Sequence, residues 1–533
     1  MCKRAALCAA LTFLLSLSGA IASTGRTYHN PVLDADYSDP DVIRVGHSYY
    51  LVASTFHFSP GIPVLRSSDL VHWTIIGHVV HRLIGAPEYD LTTLTPLTDA
   101  HPTDTVGTRY GSGVWAPAIR YHNSQFYVYW PQKEGIYMAT ARHAEGPWTR
   151  PVQVMAETGL EDPCPFWDDD GTAWLIHGKV GAGPLILHRM STDGTKVLDA
   201  GTIVAEDKGR LPVLEGPKLY KRNGWYYIFA PIGGVISGSE VVGRARSITG
   251  PYEWRDVLVP GTTAVRGPHQ GGYVETPQGR GWFLHFNFES LGRVIYLEPV
   301  SWNEGWPVIG RPIGDGTAGE PVAEYSMPET IGPTDATQPQ TSDEFSASLL
   351  GPQWEWNHNP DDTAWSLSAR PGYLRLHALP SQWLLTARNT LTQVLFGPTE
   401  TFEAKIDIAA MHDHQRAGLA LLGAPPSWIG MVREGGVTHI AYAHAGVEAV
   451  GPALNVRTVR LRLVVTPDLQ ANFSYSPGAS RSYSSIGDPA KVTRFNWWKA
   501  SRPALFTYAI GDQRGGFIDV DWVHVTHGAP SAP

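Results

Sequence analysis

Residues 213–231 read VLEGPKLYKRNGWYYIFAP, and this stretch decides the fold. Glu215 stands before a proline-containing entry that leads into a short apolar run, and the aromatic run WYYIF follows. Between the two runs lies Asn223-Gly224, the strongest short signal for a hairpin, because both residues tolerate the positive φ that a tight turn between strands requires. The stretch therefore predicts two antiparallel strands, of which the first begins at Glu215.

Four other stretches within the first 310 or so residues repeat this plan. Each unit starts with a leading residue and reaches its aromatic strand 10 to 13 residues later. The leading residues are Asp39, Trp115, Asp162, Glu215 and His269. A second turn motif follows each unit, as in GPYEW at 250–254. Five units of four strands with a period of roughly 50 residues indicate a β-propeller, whose blades bury their faces against each other. The leading residues are then expected at equivalent places near the central axis.

The composition describes a folded protein of more than one domain. The chain has 533 residues, 43% of them hydrophobic and 17% charged, and is too long for a single core. Its net charge of −9 comes without long runs of either sign, so neither nucleic acid nor an anionic membrane is indicated as a partner. The 19 Trp and 22 Tyr residues suit two uses, the stacking of sugar rings in a cleft and the packing of blades.

Residues 1–22 have the pattern of a secretory signal peptide. Lys3-Arg4 precede an apolar stretch, and small residues mark a cleavage site near Ala22. No other segment is a candidate membrane span, so we expect a secreted or periplasmic protein. Two of the three cysteines fall inside the signal, and Cys164 remains alone. With no histidine near it in the local pattern, Cys164 is expected to be a buried small hydrophobic residue and not a nucleophile.

The pattern of blades ends near residue 312. Residues 313–341 are rich in Gly, Pro and Thr and are interpreted as a linker. From 342 to 528 the chain is again rich in strands with strict alternation, as in TFEAKIDI at 401–408, which favours a two-sheet sandwich. The predicted fold class is all-β, with a five-bladed propeller over 28–312 and a lectin-like β-sandwich over 342–528. The sandwich is expected either to bind polysaccharide or to brace the propeller and lend a loop to its rim.

Three of the leading residues are carboxylates, and the propeller would bring them together. Like charges a few ångströms apart raise one another's pKa, which keeps one carboxyl group protonated at neutral pH. One acid and one base are what glycoside hydrolysis requires. Glu215 has the longer side chain and is the candidate acid, while Asp39 is the candidate base. Asp39 or Asp162 alone would more often cap a turn before proline, but three carboxylates at matching positions favour catalysis.

A series of spaced motifs resembles glycoside hydrolase family 43. They are YHNPVL at 28–33, YSDPDV at 37–42, STF at 54–56, SDLVHW at 68–73, WAP at 115–117, EDP at 161–163, LEGP at 214–217 and LGR at 291–293. The resemblance covers about residues 28–312, and the sandwich looks like the C-terminal domain of xylosidase-like members. The family includes β-xylosidases and α-L-arabinofuranosidases.

The resemblance implies an inverting hydrolase on a five-bladed propeller. In it Asp39 matches the general base and Glu215 the general acid, and Asp162 matches the third carboxylate that keeps the acid protonated and orients it. Other matching positions carry substrate contacts, namely Phe56, Phe58, Trp115, His269 and Arg293. His269 matches a channel histidine that in some members helps to hold a calcium ion; no cofactor is required by the mechanism.

The predicted reaction is the removal of terminal xylosyl residues from xylo-oligosaccharides by a β-1,4-xylosidase. Inversion needs carboxyl groups ~6.5–9.5 Å apart, against ~5 Å in a retaining enzyme. The alternative is α-L-arabinofuranosidase action on arabino-oligosaccharides, since the two sugars present their hydroxyls similarly. A carbohydrate-binding protein without catalysis is a further alternative. The sequence gives no signal for the oligomeric state.

Overall fold

The structure, a computed structural model, describes residues 26–92, 107–289, 291–330 and 337–528. The predicted signal peptide lies outside these ranges. Strands make up almost all regular structure in the described part, and its two short 3-10 helices are Pro87–Asp90 and Leu384–Thr386. No helix among the described residues is long and apolar enough to cross a membrane.

Five antiparallel four-stranded units form the blades of a propeller. The N-terminal strand β1 (Thr27–His29) and the short β4 (Phe58–Ser59) lie outside them. Blade 1 contains β2 (Asp41–Val45), β3 (Ser48–Val52), β5 (Gly61–Ser67) and β6 (Thr74–Val80). Blade 2 contains β7 (Ala118–His122), β8 (Gln125–Gln132), β9 (Gly135–Ala141) and β10 (Val152–Met155). Blade 3 contains β11 (Leu160–Trp167), β12 (Ala173–Lys179), β13 (Leu185–Met190) and β14 (Thr202–Ala205). Blade 4 contains β15 (Lys218–Arg222), β16 (Trp225–Ile232), β17 (Ser239–Ala245) and β18 (Glu253–Leu258). Blade 5 contains β19 (His269–Glu275), β20 (Gly281–Glu289), β21 (Gly292–Asn303) and β22 (Trp306–Ile309).

The hairpin predicted at residues 213–231 is present, but its first strand starts later than predicted. Asn223 and Gly224 both have positive φ, as the tight turn requires. The strand begins at Lys218 and not at Glu215. Gly216 is in the left-handed region with φ 59, and the proline that follows has no N–H to donate to a ladder, so pairing begins only after it.

Every blade entry repeats this left-handed residue, which we call the entry residue. The entry residues are Asp39 (φ 53), Ala116 (φ 38), Asp162 (φ 54), Gly216 (φ 59) and Gln270 (φ 42). The residue before each, which we call the hub residue, is Ser38, Trp115, Glu161, Glu215 and His269 in chain order. The predicted leading residues are thus a mixture of two positions one residue apart, and Glu161 is the counterpart of Glu215 in the preceding blade.

Hydrophobic layers between neighbouring blades hold the ring together. Five buried clusters each combine residues from two adjacent blades, including one that joins blade 5 to blade 1 and closes the circle. Trp73 and Trp130 in these layers are completely buried. A large apolar side chain contributes about 1.5–3 kcal/mol on burial. These layers therefore hold neighbouring blades together around the axis. Cys164 is buried in one of them, as expected.

The segment interpreted as a linker carries strands in its first half. Blade 4 is extended at its outer edge by β23 (Arg311–Ile313) and β24 (Ala318–Glu320), and β25 (Glu324–Ser326) pairs with β1. Because β24 runs parallel to β18 in the outer part of blade 4, the chain is attached to the propeller before it continues to the second domain.

The second domain is a sandwich of two large sheets. One contains β26 (Glu355–Asn357), β29 (Leu379–Pro380), β30 (Leu391–Thr392), β32 (Gln415–Leu422), β33 (Ser427–Glu434), β34 (Val437–His444), β35 (Val447–Ala453) and β40 (Arg502–Ala509). The other contains β27 (Trp365–Ser366), β28 (Leu374–His377), β31 (Glu400–Asp407), β36 (Thr458–Val465), β37 (Gln470–Pro477), β38 (Ser484–Ser485), β39 (Ala490–Lys491) and β41 (Phe517–His527). Alternating residues of both sheets form one core, as the pattern at 401–408 predicted.

The two domains share a sheet edge. Strand β4 belongs to the propeller by sequence but pairs with β26 of the sandwich. The buried cluster there joins Phe58 to Leu385, Trp428 and Phe506. The sandwich is therefore anchored against blade 1, beside the end of the propeller where the entry residues lie.

Candidate active site

Asp39 is held firmly on both carboxylate oxygens. Oδ1 accepts a hydrogen bond from Arg293 Nη1 at 2.6 Å, and Oδ2 accepts one from the Ser54 hydroxyl at 2.5 Å. The Ser54 oxygen in turn accepts the Ala116 N–H at 2.6 Å, which fixes it against blade 2. Asp39 is 5% exposed. A buried carboxylate that is bonded to a guanidinium and a hydroxyl keeps its orientation, which suits a base.

A loop of the sandwich completes this side of the site. The Trp498 carbonyl accepts a hydrogen bond from Arg293 Nη2 at 2.5 Å. The Lys499 ammonium is buried and donates to the Asp36 carbonyl at 2.6 Å and the Ser54 carbonyl at 3.2 Å, while burial lowers the pKa of Lys499 to about 8. Arg293 and the loop therefore position Asp39 together. None of these loop residues had a signal in the sequence pattern.

Glu215 is held by fewer contacts. Its Oε1 lies 2.8 Å from His269 Nε2, and its side chain is 20% exposed. Both are hub residues, of blades 4 and 5, so the repeat itself brings them together. An open carboxyl group with a single close contact can pick up and release a proton, which suits an acid.

Asp162 interacts electrostatically with both Glu215 and Asp39. It is 5% exposed, and its Oδ2 accepts the Gly216 N–H at 2.7 Å, next to Glu215. Burial and then the charge of Glu215 raise the pKa of Asp162 above its usual value, Asp39 adds to the rise, and the Lys218 ammonium and the Gly216 N–H oppose it. The structure thus brings all three predicted carboxyl groups within electrostatic reach of one another.

The aromatic residues predicted to bind substrate are divided between two places. Phe56 and Trp115 are stacked, with ring centroids 6.5 Å apart and planes at 9°, and the Arg293 guanidinium lies 5.6 Å from the Phe56 ring. These two rings form a wall next to Asp39. Phe58 does not join them, because it packs in the interdomain cluster under the Arg502 guanidinium, 3.8 Å from its ring.

Two further ionisable residues lie at the hub that the sequence pattern did not single out. Glu161 belongs to the EDP motif, and its place before Asp162 matches that of Glu215 before Gly216. Lys218 is completely buried, and its Nζ has no hydrogen-bond partner among the described residues. It lies between Gly216 and Leu219, whose N–H groups bond to Asp162 and Cys164 respectively, so this lysine borders the acid side of the hub.

A separate cavity of about 580 Å³ opens at the other end of the inner strands. Arg44, Tyr220, Arg222 and Trp302 are among its lining residues. Arg44 is five residues beyond Asp39 along blade 1, which corresponds to about 16 Å in a strand. Asp39, Asp162 and Glu215 do not line this cavity.

The residues near His269 do not fit the calcium ion implied by the resemblance. Ca²⁺ takes about six to eight oxygen ligands. His269 offers nitrogens, and Glu215 is the one carboxylate paired with it among the described residues. Within the described residues no group of three or more His, Cys, Asp or Glu side chains is arranged to hold a metal.

A propeller hub that gathers a fixed carboxylate, a looser carboxyl group and an aromatic wall defines a hydrolase of glycosidic bonds. The chain belongs to the glycosyl hydrolases family 43, whose family model matches residues 28–307. The beta xylosidase C-terminal concanavalin A-like domain matches residues 342–526. The protein is therefore a glycoside hydrolase with a concanavalin-like sandwich.

Known proteins resemble the chain over most of its length. A protein named beta-xylosidase from Formosa agariphila is 35% identical over 95% of this chain and 91% of its own. A non-reducing end alpha-L-arabinofuranosidase from Bacteroides ovatus is 30% identical over 78% and 77%. The solved structure of a bifunctional GH43-CE protein from Bacteroides eggerthii has a TM-score of 0.82 at 30% identity and covers 95% of this chain. The chain spans 64% of that longer protein.

Proposed function

We propose that the protein is a secreted β-1,4-xylosidase that releases terminal xylosyl residues from hemicellulose oligosaccharides with inversion. The observation that carries this proposal is the difference in contacts and exposure between two carboxyl groups at the hub. Asp39 is bonded through both oxygens and paired with Arg293, whereas Glu215 is partly exposed and next to Asp162. A fixed carboxylate and a proton-holding carboxyl group are the pair that acid–base hydrolysis needs.

In the proposed mechanism Asp39 accepts a proton from a water molecule as that water attacks the anomeric carbon. Glu215 gives its proton to the departing glycosidic oxygen in the same displacement, so the configuration inverts. Asp162 accepts the Gly216 N–H and so helps to orient the neighbouring Glu215. Arg293 and Ser54 hold Asp39 in line, and the wall of Phe56 and Trp115 accepts the apolar face of the sugar. The scheme uses side chains and water alone.

The relative named beta-xylosidase supports the choice of sugar, because it aligns with nearly the whole chain. The second candidate is α-L-arabinofuranosidase, which the relative from Bacteroides ovatus supports at lower identity. The experiment that separates them is proton NMR of the products from xylobiose and from an arabinofuranosyl xylo-oligosaccharide. We expect the xylose freed from the non-reducing end of xylobiose to appear first as the α-anomer, in excess of the anomeric equilibrium that the reducing-end xylose already has. An initial excess of the β-anomer contradicts inversion, and release of arabinose alone replaces the proposed substrate.

Secretion is proposed from the pattern of residues 1–22. N-terminal sequencing of the protein recovered from outside the cytoplasm of a host cell tests it. We expect a mature chain that starts just after Ala22. A chain that retains the first 22 residues contradicts the proposal.

A further inference from the structure

We propose that Glu161 determines specificity for the leaving group, by donating a hydrogen bond from its carboxyl group to a hydroxyl of the departing sugar. This inference rests on the proposed function. It assigns a role to a fourth carboxyl group of the hub, which takes no part in the mechanism above.

The fivefold repeat places Glu161 at the hub. It is the hub residue of blade 3, and the hub residues on either side of it are Trp115 in blade 2 and Glu215 in blade 4. Trp115 belongs to the aromatic wall, and Glu215 faces the glycosidic oxygen in the proposed mechanism. A residue at the same position between them faces the same space. Because Glu215 delivers its proton to the leaving oxygen, the neighbouring position on its side is suited to the leaving sugar.

The backbone around Glu161 directs its side chain. The register between β11 and β12 is irregular between Glu161 and Cys164, and bulges of this kind re-aim side chains next to active sites. The backbone of Glu161 pairs with Gly178 of β12, but its carboxyl group makes no hydrogen bond to a described residue, and the buried Oε1 has no partner there. A buried carboxyl oxygen without a partner is costly, so a partner supplied by bound substrate would offset that cost.

The charge state of Glu161 decides what it can offer. Burial is the main cause that raises the pKa of Glu161 to about 9, and the charges of Asp162, Glu215 and Asp39 add to the rise. At neutral pH the group is then a carboxylic acid with an O–H to donate. The neutral carboxyl group can donate this hydrogen bond to a hydroxyl of the substrate.

The test uses two variants and two substrates. Glu161→Leu removes the donor with little change in volume, and Glu161→Gln keeps a neutral donor. The substrates are a disaccharide that the wild type cleaves and the nitrophenyl glycoside of the same terminal sugar, which has no sugar as leaving group. We expect Glu161→Leu to lower kcat/KM for the disaccharide about 10–100-fold, as the loss of a buried hydroxyl contact does, and to change the nitrophenyl glycoside less than about 3-fold.

Glu161→Gln is expected to remain within about 5-fold of the wild type on both substrates. Equal losses on both substrates, or no loss on either, overturn the inference, since a structural role affects both alike. A Glu161→Gln variant as weak as Glu161→Leu overturns the donor role. If Glu161→Leu does not fold, Glu161→Ala takes its place in the comparison. A wild type that cleaves neither substrate refutes the proposed function itself.

Discussion

Asp39 and Glu215 face one hub but are held in opposite ways. On the side of Asp39, a guanidinium and a hydroxyl fix the carboxylate, and a loop of the sandwich holds that guanidinium in turn. On the side of Glu215, one histidine is in contact, and the neighbours Asp162 and Glu161 are themselves carboxyl groups. The base side holds cations beside its carboxylate, and the acid side holds further carboxyl groups beside Glu215.

This difference follows from what each group has to do. A base must stay ionised and point at one water molecule, and an adjacent cation favours both. An acid must keep a proton until the leaving group departs, and adjacent carboxyl groups favour that. The cations beside Asp39 and the carboxyl groups beside Glu215 therefore assign the roles of base and acid more securely than the lengths of the two side chains do.

The largest effects are expected when the carboxyl groups of Asp39 and Glu215 are each replaced by an amide, and these variants test whether the two groups have different roles. Asp39→Asn removes the base, and we expect kcat/KM to fall about 10³–10⁴-fold on every substrate. Glu215→Gln removes the acid, so the fall should be similar for xylobiose but much smaller for an aryl glycoside whose phenolate leaves without protonation. Steady-state kinetics with a series of nitrophenyl glycosides measures both effects.

The control for these variants is Asp169→Asn, an exposed aspartate in the turn of blade 3. It should keep the wild-type rate. If the loss of kcat/KM depended on the leaving group in Asp39→Asn but not in Glu215→Gln, Asp39 would be the acid and Glu215 the base.

The next test concerns the sandwich loop that serves only the base side. Lys499→Met removes a buried ammonium that joins the loop to Asp36 and to the Ser54 carbonyl. Breaking one partner of a buried pair costs about 3–5 kcal/mol, so we expect a lower midpoint of urea unfolding and a reduced kcat. Lys491→Met, on the exposed surface of the sandwich, is the matched control. An unchanged kcat in Lys499→Met would show that the loop does not position Asp39.

The sequence predicted the blades well because their signals are local. The hairpin at 218–232 is specified by Asn223-Gly224 and its flanking runs, and such runs recur at a regular period. The three carboxyl groups followed from that period and from the family motifs. The one-residue offset between Asp39 and Glu215 was not visible, because Asp adopts the left-handed conformation that Gly216 adopts elsewhere, and nothing in the pattern marks it.

The missed part of the site depends on contacts between distant segments. Lys499 meets residue 36 across 463 positions of sequence, and Trp498 meets Arg293 across 205. A repeat in the sequence cannot predict contacts between segments that are so far apart along the chain. Phe58 was assigned to the pocket from its motif, but its strand adds to the edge of the sandwich, which only the arrangement of the domains decides.

The acid side can be examined by its effect on stability. Glu161 is expected to lose its proton near pH 4.5 when unfolded but near pH 9 when folded. Between these values the folded state binds more protons, so this group's contribution to stability falls as pH rises. Glu161→Gln lacks this loss. Its free energy of unfolding should equal that of the wild type near pH 4.5 and exceed it by about 1–3 kcal/mol at pH 7, given about 1.4 kcal/mol per pH unit and partial exposure. Urea unfolding at pH 5, 6 and 7 measures the difference, and a difference that does not change with pH contradicts the raised pKa.

The smallest expected effect concerns the rim of the base side. Trp498 holds Arg293 through its backbone carbonyl, and its ring packs edge-on against Phe495. The residue is 46% exposed, so the rest of the ring can meet substrate. Trp498→Ala leaves the carbonyl in place, and we expect kcat to stay unchanged while KM for an oligosaccharide rises about 2–10-fold, the value of one aromatic contact. Trp497→Ala is the contrasting variant, because that ring packs 4.1 Å from Tyr110 and should lower stability instead. If Trp498→Ala lowers kcat as strongly as Lys499→Met does, the loop positions Asp39 through the ring as well as the backbone, and the rigidity of the base side depends on more than its hydrogen bonds.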